Sequence, residues 1–180
     1  MIGTKAIYVG IRKQIFDALD PNAIANIDKE QLRRQLANAV DLLIQRENLR
    51  VPRTTRDDFV NSLVNELVGL GPLQDLMEDD TITDIMINGA DNVFIERNGL
   101  VERAHIDFID ERQLLEIAKR IATRVGRRVD ESNPTCDARL EDGSRVNIVI
   151  PPIAIDGTAI SIRKFKKQSI DFQKLCEFGA

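Results

Sequence analysis

Apolar residues recur at helical spacing three times in the first 70 positions. Ile7, Ile11, Ile15, Phe16 and Leu19 fall three or four apart, which predicts an amphipathic helix from Lys5 that stops at Asp20-Pro21. Asp28 stands as an N-cap before KEQLRRQLANAVDLLIQREN, where Leu32, Leu36, Val40, Leu43 and Ile44 form one stripe. Pro52 breaks the chain, and Thr54 or Thr55 caps a third helix whose Phe59, Leu63, Leu67 and Val68 face inward. Three short amphipathic helices with brief connections predict a three-helix bundle.

Beyond Gly69, Gly71 and Pro72 the period changes. A helical turn over Leu73 to Met77 leads through Glu78-Asp79-Asp80 into a strand, Thr83 to Ile87, ended by Asn88-Gly89. Val93 to Ile95 and Leu100 to Ala104 then form a hairpin, because Asn98-Gly99 supplies the positive φ angles of a tight turn. Asp110 caps a helix, ERQLLEIAKRIATRVG, with an apolar face and Gly126 as its stop. From Asp130 to Phe165 charged and apolar residues alternate, broken at Gly143, Pro151-Pro152 and Gly157, and this reads as three further strands. The order strands, helix, strands predicts an α+β domain: a mostly antiparallel sheet backed by helices.

Composition narrows the picture. Without tryptophan, and with 4% aromatic residues, the core rests on Leu, Ile and Val. The longest apolar run, Val146 to Ile155, is interrupted by Asn147 and two prolines and falls far short of the roughly 20 residues a membrane span needs. No signal-peptide pattern is visible at the N-terminus. Cys136 and Cys176 lack metal-ligand spacing and are expected as reduced thiols of a cytoplasmic protein. The net charge of −4 hides a segregation: residues 71–118 carry 12 acidic and 3 basic residues, and residues 119–180 carry 12 basic and 8 acidic. Lys5 to Leu70 is nearly balanced, with 10 basic and 9 acidic residues, so it carries no nucleic-acid footprint.

The candidate chemistry lies in the last strands. Arg139 precedes the Gly143 turn, Arg145 follows it and Arg163 rides the final strand, so a sheet pairing these strands brings two or three guanidinium groups to one face. Guanidinium is a planar fork matched to phosphate oxygens. The plainer alternative is three solvated arginines on a half-exposed sheet. Two basic knots, Lys119 to Arg128 and Arg163 to Lys167, are further anion candidates or solvated faces. His105, the only histidine, has no nucleophile beside it; Glu78, Asp79, Asp80 and Asp84 lack calcium-loop spacing and read as a solvated helix end. Asp130-Glu131 is expected to cap or to pair with Arg127 or Arg128. No GxxxxGK[ST] phosphate loop occurs.

Three stretches, Gly69 to Arg103, Val125 to Ser132 and Asp130 to Phe165, together resemble the N-terminal region of the secretion ATPases of the tight-adherence pilus type. These belong to the superfamily of type II and type IV secretion and pilus motors. The likeness runs from about Leu67 to Phe165; the first 70 residues fit more loosely, as the helical bundle preceding that domain. It implies a division into residues 1–70, a bundle; 71–165, a sheet domain compared with sensory PAS-type domains; and 166–180, the start of a linker to a RecA-like domain beyond this chain. That domain would bring the phosphate loop, so ATP and Mg²⁺ are expected only with it, and the 180 residues alone are expected not to be an enzyme. The resemblance places Arg145 of GSRVN and Arg163 of SIRKF, with Arg139 of DARL third, toward the nucleotide phosphates. Its implied partners are the RecA-like domain, neighbouring subunits of a homohexamer and an inner-membrane pilus or secretion platform protein, with no nucleic acid; the implied location is cytoplasmic, peripheral at the inner membrane. Two other classes stay open: a stand-alone sensor binding a cyclic dinucleotide through the basic knots, and a protein-docking adaptor using Lys5 to Val68.

Overall fold

The computed structural model describes residues 3–19, 27–106 and 108–165. The chain divides into two compact units, Met1–Gln74 and Asp75–Ala180.

The first unit contains helices α1 (Thr4–Ala18), α2 (Lys29–Arg46) and α3 (Arg53–Val68), followed by a 3-10 turn, Gly71–Leu73. The predicted stripes are the buried ones: Ile11 and Ile15 of α1 and Leu32, Leu36 and Val40 of α2 pack with Phe59, Val60, Leu63 and Val64 of α3 in one cluster. Each such side chain removed from water contributes roughly 1.5–3 kcal/mol. The helix starts differ from expectation in detail. Asp28 stands at the N-cap of α2 but its side chain makes no capping bond. In α3 the cap is Pro52 and not Thr54 or Thr55: with φ fixed at −59°, its carbonyl accepts from the Arg56 amide at 2.9 Å, so the helix starts at Arg53.

Among the described residues of this unit one charged side chain is buried. Glu66 of α3 is 2% exposed. Its Oε1 accepts from Nε of Arg12 at 2.7 Å and also from Arg12 Nη2, and its Oε2 accepts from the Tyr8 hydroxyl at 3.3 Å. The Arg12 guanidinium also stacks 4.5 Å over the Phe16 ring. Burial, followed by the negative charge of Glu66, pushes the Tyr8 hydroxyl well above its ordinary pKa.

The second unit contains α4 (Gln74–Glu78, whose first residue closes the first unit), β1 (Ile82–Asn88), β2 (Val93–Arg97), β3 (Leu100–Arg103), α5 (Glu111–Arg124), β4 (Thr135–Arg139), β5 (Arg145–Val149) and β6 (Ala159–Arg163). The strands form one six-stranded sheet in the order β3-β2-β1-β6-β5-β4, every pair antiparallel. It is two three-stranded meanders, one on each side of α5 in sequence, joined where β1 pairs with β6. Strand alternation buries Ile85 and Ile87 of β1, Ile160 and Ile162 of β6, and Val146 and Ile148 of β5, leaving the intervening polar residues on the open face. Helix α5 buries the matching stripe Leu114, Ile117, Ala118, Ile121 and Ala122.

Local chemistry fixes the turns. Asn98 and Gly99, at φ 50° and 80°, make the tight hairpin turn that the sequence predicts. Asp110 caps α5, accepting from the Gln113 amide at 2.8 Å, while the Gln113 side chain accepts from the Ile109 amide at 2.7 Å. Glu111 then ties the start of α5 to both meanders. It accepts from the Ala90 amide at 3.2 Å, beyond β1, and from the Thr158 amide, just before β6. A Cβ at Gly157 would stand 2.9 Å from the Glu111 carboxylate, at a φ of +107°, so only glycine fits there.

Replacing Arg12 by Met leaves Glu66 buried without this cation, and we expect the first unit to lose about 3 kcal/mol. Tyr8 is the only tyrosine and tryptophan is absent, so tyrosine fluorescence during urea unfolding reports this unit selectively. Adding Glu66→Gln to Arg12→Met should recover part of the loss; an unshifted midpoint in the single variant would show that the pair does not hold the helices.

Candidate functional site

The open face of the sheet brings together all three arginines singled out from sequence. In register, Arg139 of β4 faces Arg145 of β5, Arg145 faces Arg163 of β6, Arg163 faces Asp84 of β1, and Asp84 faces Glu96 of β2. One transverse row thus runs from three cations to two anions across five strands. Directly opposed side chains start about 5 Å apart, so adjacent arginines repel and each needs a counter-ion.

Two of the three have one. Arg145 donates from Nε to Asp137 Oδ1 at 3.1 Å and from Nη2 to Oδ2 at 2.7 Å. Asp137 is the diagonal neighbour, two positions before Arg139 on β4. This hydrogen-bonded pair holds the Asp137 carboxyl below and the Arg145 guanidinium above their ordinary values. Arg163 donates from Nε to Asp84 Oδ1 at 3.0 Å. Among the described residues Arg139 makes no ion pair, and all three arginines are exposed.

The end of β6 is fastened on both sides of the row. The Lys164 amide donates to Thr83 O at 2.8 Å, and its ammonium reaches Leu76 O at 3.2 Å and Asp79 O at 2.6 Å, carbonyls at the C-terminal end of α4. Burial lowers the Lys164 pKa, while Asp80, Asp79 and Asp142 oppose that shift. The Phe165 amide donates to Ser144 Oγ at 3.1 Å, and Ser144 donates to Asp142 Oδ2 at 2.9 Å. The Phe165 ring lies against Gly143 in the β4–β5 turn.

These contacts revise two readings of the sequence. The basic knot beginning Arg163-Lys164 is not one cluster: Arg163 stands in the row while Lys164 turns its charge onto α4; Lys166 and Lys167 lie outside the described residues. Nor is the acidic stretch simply a solvated helix end, because Asp79 accepts from the Thr81 hydroxyl at 2.6 Å and from Arg97 Nη1 at 2.6 Å. Arg128 pairs with Asp130 at 2.7 Å, one of the expected pairings, and Cys136 is a buried free thiol whose pKa burial raises; Cys176 lies outside the described residues. His105 is exposed. No group of acids, histidines or cysteines among the described residues is arranged to hold a metal ion, and no described helix is long and apolar enough to cross a membrane.

Asp137 and Asp84 are the site residues that sequence reasoning missed. Asp137 was detectable, since alternation puts it on the face of Arg139. The Asp84–Arg163 pairing spans 79 positions and depends on β1 meeting β6, which no local pattern announces.

Comparison with known proteins gives a consistent picture. The family profile described as "Type II/IV secretion system protein" matches residues 66–180. A Mycobacterium tuberculosis protein named for conjugal transfer is 32% identical over 124 residues, covering 66% of this chain and 35% of its own. The type IV secretion system protein VirB11 of Brucella suis is 32% identical over 96 residues, covering 53% of this chain and 27% of its own. Among solved structures, the VirB11 ATPase of the Brucella suis type IV secretion system, crystallised with sulphate, superposes with a TM-score of 0.55 at 27% identity over 61% of this chain and 34% of that one. The chain spans about a third of these relatives' length or less.

The Thr81 hydroxyl and then Arg97 hold the Asp79 carboxyl at about 2, against an ordinary 3.8. A depressed carboxylate stabilises the fold fully above its ordinary value and loses that contribution as pH falls through its folded value. Between about pH 4 and pH 2 the parent's melting temperature should therefore fall more steeply than that of Asp79→Asn. Parallel curves in thermal melts across that window would remove Asp79 from the acid response.

Proposed function

Because the chain belongs to the type II/IV secretion system protein family, we propose that it is the N-terminal regulatory and interaction region of a cytoplasmic, hexameric ATPase that powers assembly of a tight-adherence pilus or protein secretion. The observation carrying this reading is the registered row of Arg139, Arg145 and Arg163 on an open sheet face. Nucleotide phosphates are held mainly by a RecA-like domain of the same protein, and Arg145 and Arg163 reach toward them, with Arg139 third.

The residues present fit one half of such a site. The Nη ends of Arg163 and Nη1 of Arg145 make no bond among the described residues, so donors for phosphate oxygens are at hand. Mg²⁺ belongs in this reading to the other domain, together with the phosphate loop. The arginines act electrostatically: they offset charge on the terminal phosphate, and its departure removes the attraction that draws the two domains together. Most phosphate contacts lie outside this region, so the chain by itself binds ATP weakly. Neighbouring subunits of the ring and an inner-membrane platform protein are the partners of this reading, and its location is peripheral at the inner membrane.

We expect no ATP turnover from these 180 residues and Mg²⁺-dependent turnover from a version continued through a RecA-like domain. In that longer protein, Arg145→Ala and Arg163→Ala should each lower kcat by at least about tenfold, the scale of a lost charge-stabilising donor, and Arg139→Ala by less. Unchanged turnover in both main variants would remove the arginine row from the nucleotide site.

A further inference from the structure

The carboxylates beside the row divide the edges of the two guanidinium groups. Asp137 takes the side-on Nε and Nη2 edge of Arg145, and Asp84 takes Nε of Arg163. Nη1 of Arg145 and both Nη groups of Arg163 stay unbonded among the described residues. A bound anion could therefore be gripped without breaking either pair. The anchoring also opposes the register: without it, like-charged side chains that start from adjoining positions would splay into solvent on long, flexible stems. Asp84 is the more sheltered carboxylate, at 19% side-chain exposure against 50% for Asp137, and it sits on β1 beside the last strand. It offers a fixed point against which the arginine can be held.

Resting on the reading of the row as a phosphate site, we infer that Asp137 and Asp84 are positioning residues. They hold Arg145 on the β4 side and Arg163 on the β1 side through bonds that leave Nη donors of both for a polyphosphate, and they remain in place when it binds. The inference opposes simple charge counting. Removing a carboxylate beside an anion site makes the site more positive and, by Coulomb's law alone, should tighten binding. Positioning predicts the opposite sign.

The probe is inorganic tripolyphosphate, titrated at low salt into the 180-residue chain while the arginine Nε–H signals are followed by ¹⁵N NMR, which registers millimolar affinities. The parent should show shifts at Arg145 and Arg163. Asp137→Asn and Asp84→Asn should each weaken binding about two- to fivefold, the range spanned by an exposed ion pair, and broaden the Nε–H signal of the partnered arginine without lowering the melting temperature. Affinity unchanged or increased in both variants overturns the positioning role and identifies the carboxylates as competitors of phosphate, leaving the phosphate reading intact. A parent chain whose arginine signals do not respond to tripolyphosphate overturns the phosphate reading itself, and this inference with it.

Discussion

The pairing of β1 with β6 is the constraint on which the second unit depends. Its five registered positions, from Asp84↔Arg163 to Asn88↔Ala159, join two meanders that otherwise share no strand. Apart, the two meanders would present four bare edges in place of two, and each would hold half an apolar face; joined, they make a six-stranded sheet whose buried isoleucines lie on one continuous face. Glu111 reinforces the junction, because one carboxylate at the start of α5 satisfies amides next to β1 and next to β6. The closeness of Gly157 to that carboxylate shows how little room the junction leaves.

The same junction determines the electrostatics of the open face. Strands β1 to β3 carry three acids and two arginines and strands β4 to β6 one acid and three arginines, so the junction sets a charge gradient across the sheet. The arginine row sits just on the basic side of that boundary, and its anchoring carboxylates come from both meanders: Asp137 from β4 and Asp84 from β1. Such a row costs stability through like-charge repulsion. Strained or repulsive arrangements of this kind concentrate at sites of function, which is the physical reason to read it as poised for an anion.

The helical unit solves a different problem with the same economy of aromatic residues. Apart from Phe59 its buried core is aliphatic, and Glu66, the one buried carboxylate among the described residues, is met by an arginine and a tyrosine from α1. A buried ion pair adds little net stability compared with an apolar replacement, but removing one partner leaves an uncompensated buried charge, so the pair ties α1 to α3. The family profile begins at residue 66, so α1 and α2 fall wholly outside it.

Much of this was legible beforehand because it is local. Helical and strand periods, the Asn98-Gly99 turn, the Asp110 cap and the Gly126 stop each depend on residues a few positions apart, and the structure contains them all. The sequence also nominated Arg139, Arg145 and Arg163, since alternation puts them on one side of adjoining strands. Tertiary structure alone decided that the three fall in a single register row, that Asp84 closes on Arg163 from 79 residues away, and that Lys164 leaves the basic knot to hold α4. The reason is range. A period of two or 3.6 assigns a side chain to a face, but which strand lies beside which, and at what offset, is settled by burying the whole sheet at once.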